Sequence, residues 1–270
     1  MIKSNTSTDR VQIEIDADAG FATTLAKGLS VLEAFAPGET LLGNSELAAR
    51  TGLSRPTVAR LASTLAELGY LAYDGHRAKY RLAIRALRIA RPLLADMKVR
   101  QIARPLMQEL AMSVHGTVSL GVIDGTSAIY VETARSGDVG SHLPDIGSEL
   151  PIARAAIGRA LASLLSSGEQ FELGQRIQHE TPDIWKTYGE RYAAGIAQCS
   201  EQGYCVSWGD WQPTVHAAAV PLFRSSETGE CVGLNCGVPA FRLRHGEIET
   251  EIVPRLMALA ASIRELMPDA

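Results

Sequence analysis

The chain has 270 residues, of which 46% are hydrophobic and 21% are charged, and its formal net charge is −4 at pH 7. This length allows two compact domains of about 70 and about 170 residues, each with its own core. No apolar run approaches the ~20 residues of a membrane span, and the first twenty residues lack the apolar core of a secretion signal. We therefore expect a cytoplasmic protein with no membrane partner.

The charge is distributed unevenly along the chain. Residues 24–91 contain ten Lys and Arg against five Asp and Glu, a net charge of +5, whereas residues 1–23 carry −2 and residues 92–270 carry −7. A basic segment joined to an acidic remainder predicts one domain that meets nucleic acid and a second domain with a different task.

The N-terminal part of the sequence predicts a flexible arm over residues 1–22 followed by a helix. Thr23 or Thr24 is suited to cap this helix, which would run to about Ala36 and stop at Pro37-Gly38. The helical spacing of four apolar residues predicts its core face: Leu25, Leu29, Leu32 and Phe35.

Residues 44–63 have the pattern of a helix-turn-helix. Asn44 or Ser45 would cap the first helix, Gly52 would end it with a positive φ, and Ser54 would cap the second helix, with Pro56 in its first turn. Four apolar residues repeat at helical spacing and predict the buried stripe of the second helix: Val58, Leu61, Leu65 and Leu68.

The opposite face of the second helix carries side chains suited to guanine edges and phosphate oxygens. These predicted DNA contacts are Ser54, Arg55, Thr57, Arg60, Ser63 and Thr64. Residues 69–73 and 79–82 then predict a hairpin about a turn at 74–77, which places Arg77 and Lys79 of this wing beside the phosphate backbone.

The order helix, turn, helix and basic hairpin predicts a winged helix-turn-helix domain over residues 23–83 with double-stranded operator DNA as its partner. Two alternatives remain at this point. One is a helical hairpin whose arginines are simply solvated. The other is a winged-helix module that serves only protein assembly, which would leave the outward arginines unexplained.

A linker helix is predicted over residues 84–98, with Pro92 as a kink. Ile84, Leu87 and Leu94 would lie on one side of it, and Arg85, Arg88 and Arg91 would recur every three residues on the other. Because a partly apolar linker often packs against a partner chain, we expect this helix to contribute to a homodimer. Solvation of the basic face is the simpler interpretation of its arginines.

Residues 99–268 predict a second domain in which helices and strands occur in blocks. We expect a helix over 99–114, a hairpin of 117–123 and 127–133 about Asp124-Gly125, and a closing helix over 245–267. Between them, further helices are predicted at 153–166, 169–178 and 189–202, and strands at 204–208, 215–223 and 231–238. Blocks of this kind indicate an α+β domain whose central antiparallel sheet, flanked by helices, encloses a small-molecule cavity.

The sequence offers little for catalysis. It contains no Gly-x-Ser-x-Gly elbow, no His-Glu-x-x-His helix and no phosphate-binding glycine loop, so we expect no catalytic residues. Cys205 and His216 could be proposed as a reactive pair, and a catalytic domain acting on a small organic acid is the enzymatic alternative. The spacing of Cys199, Cys205, Cys231 and Cys236 fits neither a zinc knuckle nor a redox motif. No metal and no cofactor are therefore expected.

Five segments in order resemble the IclR family of bacterial transcriptional regulators. They are Ser45 to Leu68, the wing strand ending in Lys79 to Leu82, the helix start Ile102 to Pro105, the element Leu150-Pro151 leading to Gly158-Arg159-Ala160, and the turn Gln202 to Tyr204. The resemblance implies a winged helix-turn-helix, a linker helix and a C-terminal effector-binding domain similar to the GAF fold. It also implies a homodimer or a dimer of dimers on palindromic operators.

The resemblance also implies an effector site. The backbone amides of Ala156 and Ile157 would hold a small acid, together with strand positions 207, 217, 235 and 237. Family members that bind small acids tend to show Asp, Cys, Ser and Ser there, whereas this chain has Ser207, Ala217, Asn235 and Gly237. With Trp208 and Trp211 nearby and His216 where Arg is common, a larger or more aromatic effector is expected. Core or interface tryptophans and a structural histidine are the alternatives.

Overall fold

The structure of the protein is a computed structural model that describes residues 21–137 and 144–267. The chain divides into two compact units, Met1–Asp96 and Met97–Ala270. Of the predicted arm over residues 1–22, only Phe21 and Ala22 are among the described residues.

The N-terminal unit is a winged helix-turn-helix, as predicted. Its elements are α1 (Thr23–Glu33), α2 (Asn44–Thr51), α3 (Arg55–Glu67), β1 (Leu71–Asp74) and β2 (Lys79–Leu82). The two strands pair antiparallel to form the wing. All three helices and both strands contribute to one core, because burial of the apolar side of each short element is what stabilises so small a unit. Its buried residues are Val31, Ala34, Leu42, Leu47, Val58, Leu61, Ala62, Leu71 and Tyr80.

The predicted core face of α1 is partly wrong. Leu25 is 64% exposed and Leu29 is 46% exposed, whereas Val31 is fully buried and Leu32 and Phe35 pack against the core. Only the C-terminal half of α1 therefore faces α2 and α3. The predicted cap is also wrong, since α1 begins after Ala22, which makes no side-chain cap hydrogen bond.

The turn between α2 and α3 follows the predicted chemistry. Gly52 adopts a left-handed φ of 69°, and the Ser54 hydroxyl caps α3 by accepting a hydrogen bond from the Thr57 amide at 3.4 Å. The predicted caps of α2 are wrong, because Gly43 is its N-cap and the Gly43 amide donates to Oε2 of Glu46 at 2.7 Å. Leu68 is not part of the buried stripe of α3, since it is 50% exposed and follows the last helical residue.

The predicted linker helix begins as a 3-10 turn, Ile84–Ala86, and continues as α4, Leu87–Asp96, with Pro92 inside it. Arg85 anchors this segment, because its Nη1 donates to the carbonyl oxygen of Leu68 at 2.6 Å and its guanidinium lies 5.5 Å from the centre of the Tyr70 ring. No residue of α4 is buried within the part of the chain that the structure describes.

The C-terminal unit is an α+β fold around one antiparallel sheet. Its first elements are α5 (Lys98–Val114), β3 (Thr117–Asp124), β4 (Ser127–Arg135), β5 (Glu149–Pro151), α6 (Ala156–Ala162) and α7 (Ser167–Glu180). They are followed by α8 (Pro182–Gln202), β6 (Cys205–Gln212), β7 (Val215–Arg224), β8 (Cys231–Pro239), a 3-10 turn (Ala240–Arg242), a π-helical turn (Ile248–Ile252) and α9 (Val253–Glu265). The sequence did not predict β5, and α6 is much shorter than the predicted helix.

The six strands lie in the order β5-β4-β3-β8-β7-β6. Helices α5 and α9 pack on one face, whereas α6 packs on the other face with α8 behind it. Because side chains alternate along a strand, Val232, Leu234 and Cys236 of β8 point to one face of the sheet, and Gly233 and Asn235 point to the other.

Small residues bring α6 against the sheet. A Cβ added to Gly121 or Gly233 would lie 2.9 Å or 3.1 Å from side-chain atoms of Ile157 on α6. A Cβ on Gly158 would lie 2.3 Å from the Cα of Ile152, a distance that no side chain can occupy. Glycine is therefore required at position 158, and the close packing holds the start of α6 in one place over the strands.

Candidate DNA-binding surface and effector cavity

The exposed face of α3 carries two arginines that nothing in the described residues engages. Arg55 and Arg60 are exposed, and no hydrogen bond or ion pair of either guanidinium is found within residues 21–137 and 144–267. A guanidinium can donate two parallel hydrogen bonds to a guanine edge or to a phosphate. These two side chains therefore present all their hydrogen-bond donors to solvent on the exposed face of α3.

The hydroxyl groups among the predicted DNA contacts are partly engaged within the unit. Oγ of Ser54 lies 2.9 Å from Oγ1 of Thr57, and Oγ1 of Thr64 donates to the carbonyl oxygen of Arg60 at 3.0 Å. Ser54, Ser63 and Thr64 are exposed, whereas Thr57 is half-buried. Since a phosphate only accepts hydrogen bonds, the hydroxyl of Thr64 would have to leave its present partner to donate to one.

The wing presents two cations: Arg77, which is largely exposed with its Nε 3.9 Å from Oδ2 of Asp74, and Lys79, which is paired with Glu46. Oδ1 of Asp74 accepts hydrogen bonds from the amides of His76 and Arg77 at 3.0 and 3.2 Å, which shapes the turn and leaves the Arg77 side chain 68% exposed. Nζ of Lys79 instead lies 2.8 Å from Oε1 of Glu46 on α2. The hydrogen bond from Gly43 and the one from Lys79 lower the pKa of Glu46 below its ordinary value. A phosphate contact by Lys79 would therefore compete with Glu46.

The C-terminal unit contains a cavity of about 30 Å³ on the α6 face of the sheet, beside the start of α6. This space is enough for about two water molecules. Its lining combines small and apolar residues with a few hydrogen-bonding groups. The lining residues are Thr117, Tyr130, Pro144, Leu150, Ala155, Ala156, Ser207, Trp211, Val215, Ala217, Asn235 and Gly237.

Five of the eight residues that the family resemblance and the sequence indicated lie in this lining. They are Ala156, Ser207, Ala217, Asn235 and Gly237. Ile157 is fully buried beneath α6, where its side chain packs toward Gly121 and Gly233, so only its backbone amide could serve the cavity. For the amides of Ala156 and Ile157, no backbone acceptor is found within the described ranges.

Trp208 and His216 do not line the cavity. They face each other across β6 and β7 with ring centres 5.1 Å apart, and Trp208 is 53% exposed. The reason is that side chains alternate along a strand. Ser207 pairs with Ala217 on the cavity face of the sheet, so the next pair, Trp208 with His216, points to the other face. Trp211, three residues beyond Trp208, is the tryptophan of the lining.

Sequence reasoning about strand positions missed several lining residues on other elements. Thr117 and Tyr130 come from β3 and β4. The pairing of β3 with β8 shows their position, because Thr117 lies opposite Gly237 and Ser119 lies opposite Asn235. The alternation of β3 alone could have indicated Thr117. No local signal distinguishes Tyr130 from a core tyrosine.

The polar groups of the lining are suited to binding rather than to acid-base chemistry. Nδ2 of Asn235 donates to the Tyr130 hydroxyl at 3.0 Å, and Oγ1 of Thr117 donates to the carbonyl oxygen of Gly237 at 3.3 Å. Burial raises the pKa of Tyr130 well above its ordinary value, so its hydroxyl stays protonated. Among the described residues, the lining contains no carboxylate, histidine or amine side chain that could act as a general base near neutral pH.

The cysteines likewise show no features of a nucleophile. All four are free and buried. Sγ of Cys205 donates to the carbonyl oxygen of Ala156 at 3.3 Å. A hydrogen bond with Cys199 and, as a smaller effect, burial raise the pKa of Cys205 above its ordinary value. Such a thiol stays protonated. Alternation along β6 and β7 also points Cys205 and His216 to opposite faces of the sheet, so they do not form a reactive pair.

A buried ion pair joins the two walls of the cavity. On α6, Nη2 of Arg159 lies 2.7 Å from Oδ2 of Asp210 on β6, with the two side chains only 3% and 6% exposed. Nε of Arg159 donates to the carbonyl oxygen of Ala153 at 3.1 Å, and Nε of Arg154 donates to the carbonyl oxygen of Asp210 at 2.6 Å. Arg191 of α8 pairs with the second oxygen of Asp210.

A winged helix-turn-helix with free arginines on its second helix, in one chain with an α+β unit that holds a cavity, defines a DNA-binding transcriptional regulator. Within the residues that the structure describes, none of the helices has both the length and the apolar character needed to span a bilayer.

Comparison with known proteins identifies the family. Residues 24–75 match the model of the IclR helix-turn-helix domain, and residues 92–265 match that of the bacterial transcriptional regulator IclR C-terminal domain. A curated relative, the HTH-type transcriptional regulator TsaQ1/TsaQ2 of Comamonas testosteroni, is 32% identical over 196 residues, which are 71% of this chain and 69% of the relative. The chain belongs to the IclR family of bacterial transcriptional regulators, as its motifs predicted.

Solved structures agree with this assignment. The crystal structure of an IclR family transcriptional regulator from Brucella abortus is 34% identical, with a TM-score of 0.81 over 96% of this chain and 97% of that one. An IclR homologue from Microbacterium hydrocarbonoxydans, crystallised with 4-hydroxybenzoate, shares the fold at 22% identity, with a TM-score of 0.70 over 92% of this chain and 100% of that one. The predicted α+β fold class is confirmed.

We expect Arg60→Ala to weaken binding to the DNA upstream of the protein's own gene by ~1–3 kcal/mol at fixed salt, because the predicted bidentate contact of Arg60 with a base would be lost. Fluorescence anisotropy with a labelled duplex measures this loss. Arg176→Ala, which removes an exposed arginine of α7 in the other unit, is the control and should leave binding unchanged. Equal affinity of the Arg60 variant and the wild type would remove Arg60 from the DNA-binding surface.

We expect Asp210→Ala to destabilise the C-terminal unit by about 3–5 kcal/mol, since it leaves the buried guanidinium of Arg159 without its counter-charge. Arg191→Ala should cost about 1 kcal/mol or less, because the Arg191 side chain is 60% exposed. Urea unfolding followed by tryptophan fluorescence measures both, and all three tryptophans, Trp185, Trp208 and Trp211, lie in this unit. Similar losses in the two variants would contradict the assigned importance of the Arg159 pair.

Proposed function

We propose that this regulator binds a specific operator through α3 and the wing, and that a small aromatic or organic acid in the cavity modulates this binding. The observation that carries the proposal is the presence of two separate sites in one chain, a surface with free arginines and a cavity. The DNA contacts proposed are the predicted ones: Ser54, Arg55, Thr57, Arg60, Ser63, Thr64, Arg77 and Lys79.

The composition of the cavity favours an aromatic effector. Trp211, Leu150 and Val215 supply flat or apolar surface, whereas hydrogen-bonding groups are few. The ring of Trp211 makes no ring contact with another aromatic side chain among the described residues, so it is available to a planar ligand. The 4-hydroxybenzoate bound by the Microbacterium homologue is an example of such a compound and a suitable first probe. Among the proposed effector contacts, Ala156 and Ile157 would act through their amides.

The small volume of the cavity suggests how an effector changes the protein. A space of about 30 Å³ is smaller than an aromatic ring, so we propose that an aromatic effector enlarges it by displacing part of the wall. Half-buried Trp211 is the lining residue with the most volume to move. A ligand that requires the enlarged cavity binds that conformation selectively and so shifts the population toward it. This differential affinity is what any coupling to the DNA-binding unit requires.

We propose that the protein is not an enzyme and acts in the cytoplasm. The names of its relatives describe regulators. The described lining of the cavity, which has a protonated tyrosine and no general base among its residues, supports the same conclusion.

We also propose that the chain forms a homodimer through α4, from which a dimer of dimers could be built. Ile89, Leu93 and Leu87 are 60%, 62% and 64% exposed, and with Leu94 they lie on one side of α4 at helical spacing, while Arg88 and Arg91 lie on the other. An amphipathic helix without a single buried residue gains little from folding alone. A second copy would cover its apolar side and place two DNA-binding units on half-sites about 34–36 Å apart, or a multiple of that.

Leu87→Glu should therefore weaken dimerisation, because it places a charge in the apolar side of α4, and analytical ultracentrifugation across a concentration series measures this. Met112→Glu on α5, where the methionine is 58% exposed, is the matched control and should leave the association constant unchanged. A Leu87 variant that associates as strongly as the wild type would exclude α4 as the interface.

The regulator proposal is tested by anisotropy of the upstream DNA with and without aromatic acids such as 4-hydroxybenzoate and benzoate. Coupling between two sites must be reciprocal, so an acid that changes operator affinity by some factor must itself bind the protein-DNA complex with an affinity changed by the same factor. Calorimetry of the same acid with and without bound operator checks this equality. Effector binding that is identical in both cases would contradict the proposal.

A further inference from the structure

We propose that Tyr130 and Asn235 form a hydrogen-bonding pair that recognises an oxygen acceptor of the effector, and that this pair selects which acids the cavity binds. The inference rests on the proposed function and adds Tyr130 to the residues that determine specificity. These two polar side chains lie in a largely apolar lining and are only 4% and 6% exposed.

The pair is built across three strands. Tyr130 lies on β4 and Asn235 on β8, with β3 between them, and the tyrosine hydroxyl spans β3 to reach the amide at 3.0 Å. The neighbouring residue on β3 does not compete for this amide, because Oγ of Ser119, opposite Asn235, lies 3.1 Å from Oγ1 of Thr133 instead. Each member of the pair therefore has the other as its protein partner.

The direction of this hydrogen bond leaves one donor of the pair without a partner inside the pair. Nδ2 of Asn235 donates to the tyrosine oxygen, so the proton of the Tyr130 hydroxyl must point elsewhere. Within residues 21–137 and 144–267 no acceptor for that proton is found. Exchanging the two amide atoms does not alter the conclusion, because the hydroxyl would then donate to the amide oxygen and the amide protons would be the ones left over. In either arrangement the pair offers a donor to the cavity.

The donor is available at all ordinary pH values. Burial raises the pKa of Tyr130 well above its ordinary value, and an asparagine amide does not ionise. An acceptor-bearing ligand, such as a carboxylate or a ring oxygen, satisfies this buried donor, whereas a ligand without an oxygen there leaves it unmet at a cost in affinity. The pair thus favours oxygenated aromatic compounds over bare hydrocarbons of the same shape.

The test is calorimetry of the full-length protein with benzoate and 4-hydroxybenzoate. Tyr130→Phe should weaken the better-bound acid roughly ten- to a hundred-fold, as expected for the loss of a hydrogen bond to a charged group. Tyr192→Phe is the matched control: Tyr192 is also 4% exposed, its hydroxyl contacts the Gln170 carbonyl oxygen at 3.5 Å, and it is not part of the cavity lining. Its affinity should stay within about twofold of the wild type.

A second variant keeps the size of the pair and changes its chemistry. Asn235→Asp replaces the amide by a group that only accepts hydrogen bonds, which would draw the Tyr130 proton to itself and repel an acid, so binding should again fall at least tenfold. A purely structural role would lower the unfolding midpoint of these variants without changing the affinity of the folded protein. Melting curves followed by tryptophan fluorescence separate the two effects.

The possible failures are distinguishable. If wild-type protein binds an acid and both Tyr130→Phe and Asn235→Asp bind it equally well, the recognition role of the pair is overturned while the proposed function stands. If the wild type binds neither acid, the proposed aromatic-acid effector is contradicted, and the assignment of the pair to its recognition is overturned with it.

Discussion

The position of α6 against the sheet in the C-terminal unit depends on the buried ion pair between Arg159 and Asp210. This pair connects α6, which begins at one wall of the cavity, to β6, which carries Ser207 and Trp211 at the other. Isolated, either charge would be costly to bury, and the pair is tolerated because each group has further hydrogen bonds, from Arg159 to the Ala153 carbonyl and from Arg191 to Asp210. The distance between the two walls is therefore set by charged groups whose geometry is directional.

Small residues complement this constraint. Gly158 lies against the backbone of Ile152, and Gly121 and Gly233 leave space for the side chain of Ile157, so α6 lies almost directly on the sheet. Beside the start of α6, the small residues Ala217 and Gly237 line the cavity. The cavity thus lies where small side chains of the strands meet the start of α6.

The N-terminal unit separates structural charges from available ones. Glu46 accepts hydrogen bonds from both Gly43 and Lys79, so it caps α2 and also holds the wing strand beside that helix. The guanidinium groups of Arg55 and Arg60 make no hydrogen bond or ion pair with the described residues. The two arginines proposed to contact DNA are therefore not among the side chains that hold the unit together, whereas Lys79 is proposed to contact DNA and also pairs with Glu46.

The sequence by itself determined the family, the α+β class and most elements, because these depend on local signals such as the Gly52 turn, the Ser54 cap and helical or strand periodicity. Those signals do not report which side of an element meets a neighbour. Leu25, Leu29 and Leu68 were therefore expected to be buried and are exposed, while Trp208 and His216 were placed with the effector although alternation turns them to the other face. Only the tertiary structure decided that Trp211 and Tyr130 meet in one cavity. Their strands, β6 and β4, lie far apart in the order of the sheet, and no local pattern of the sequence encodes that order.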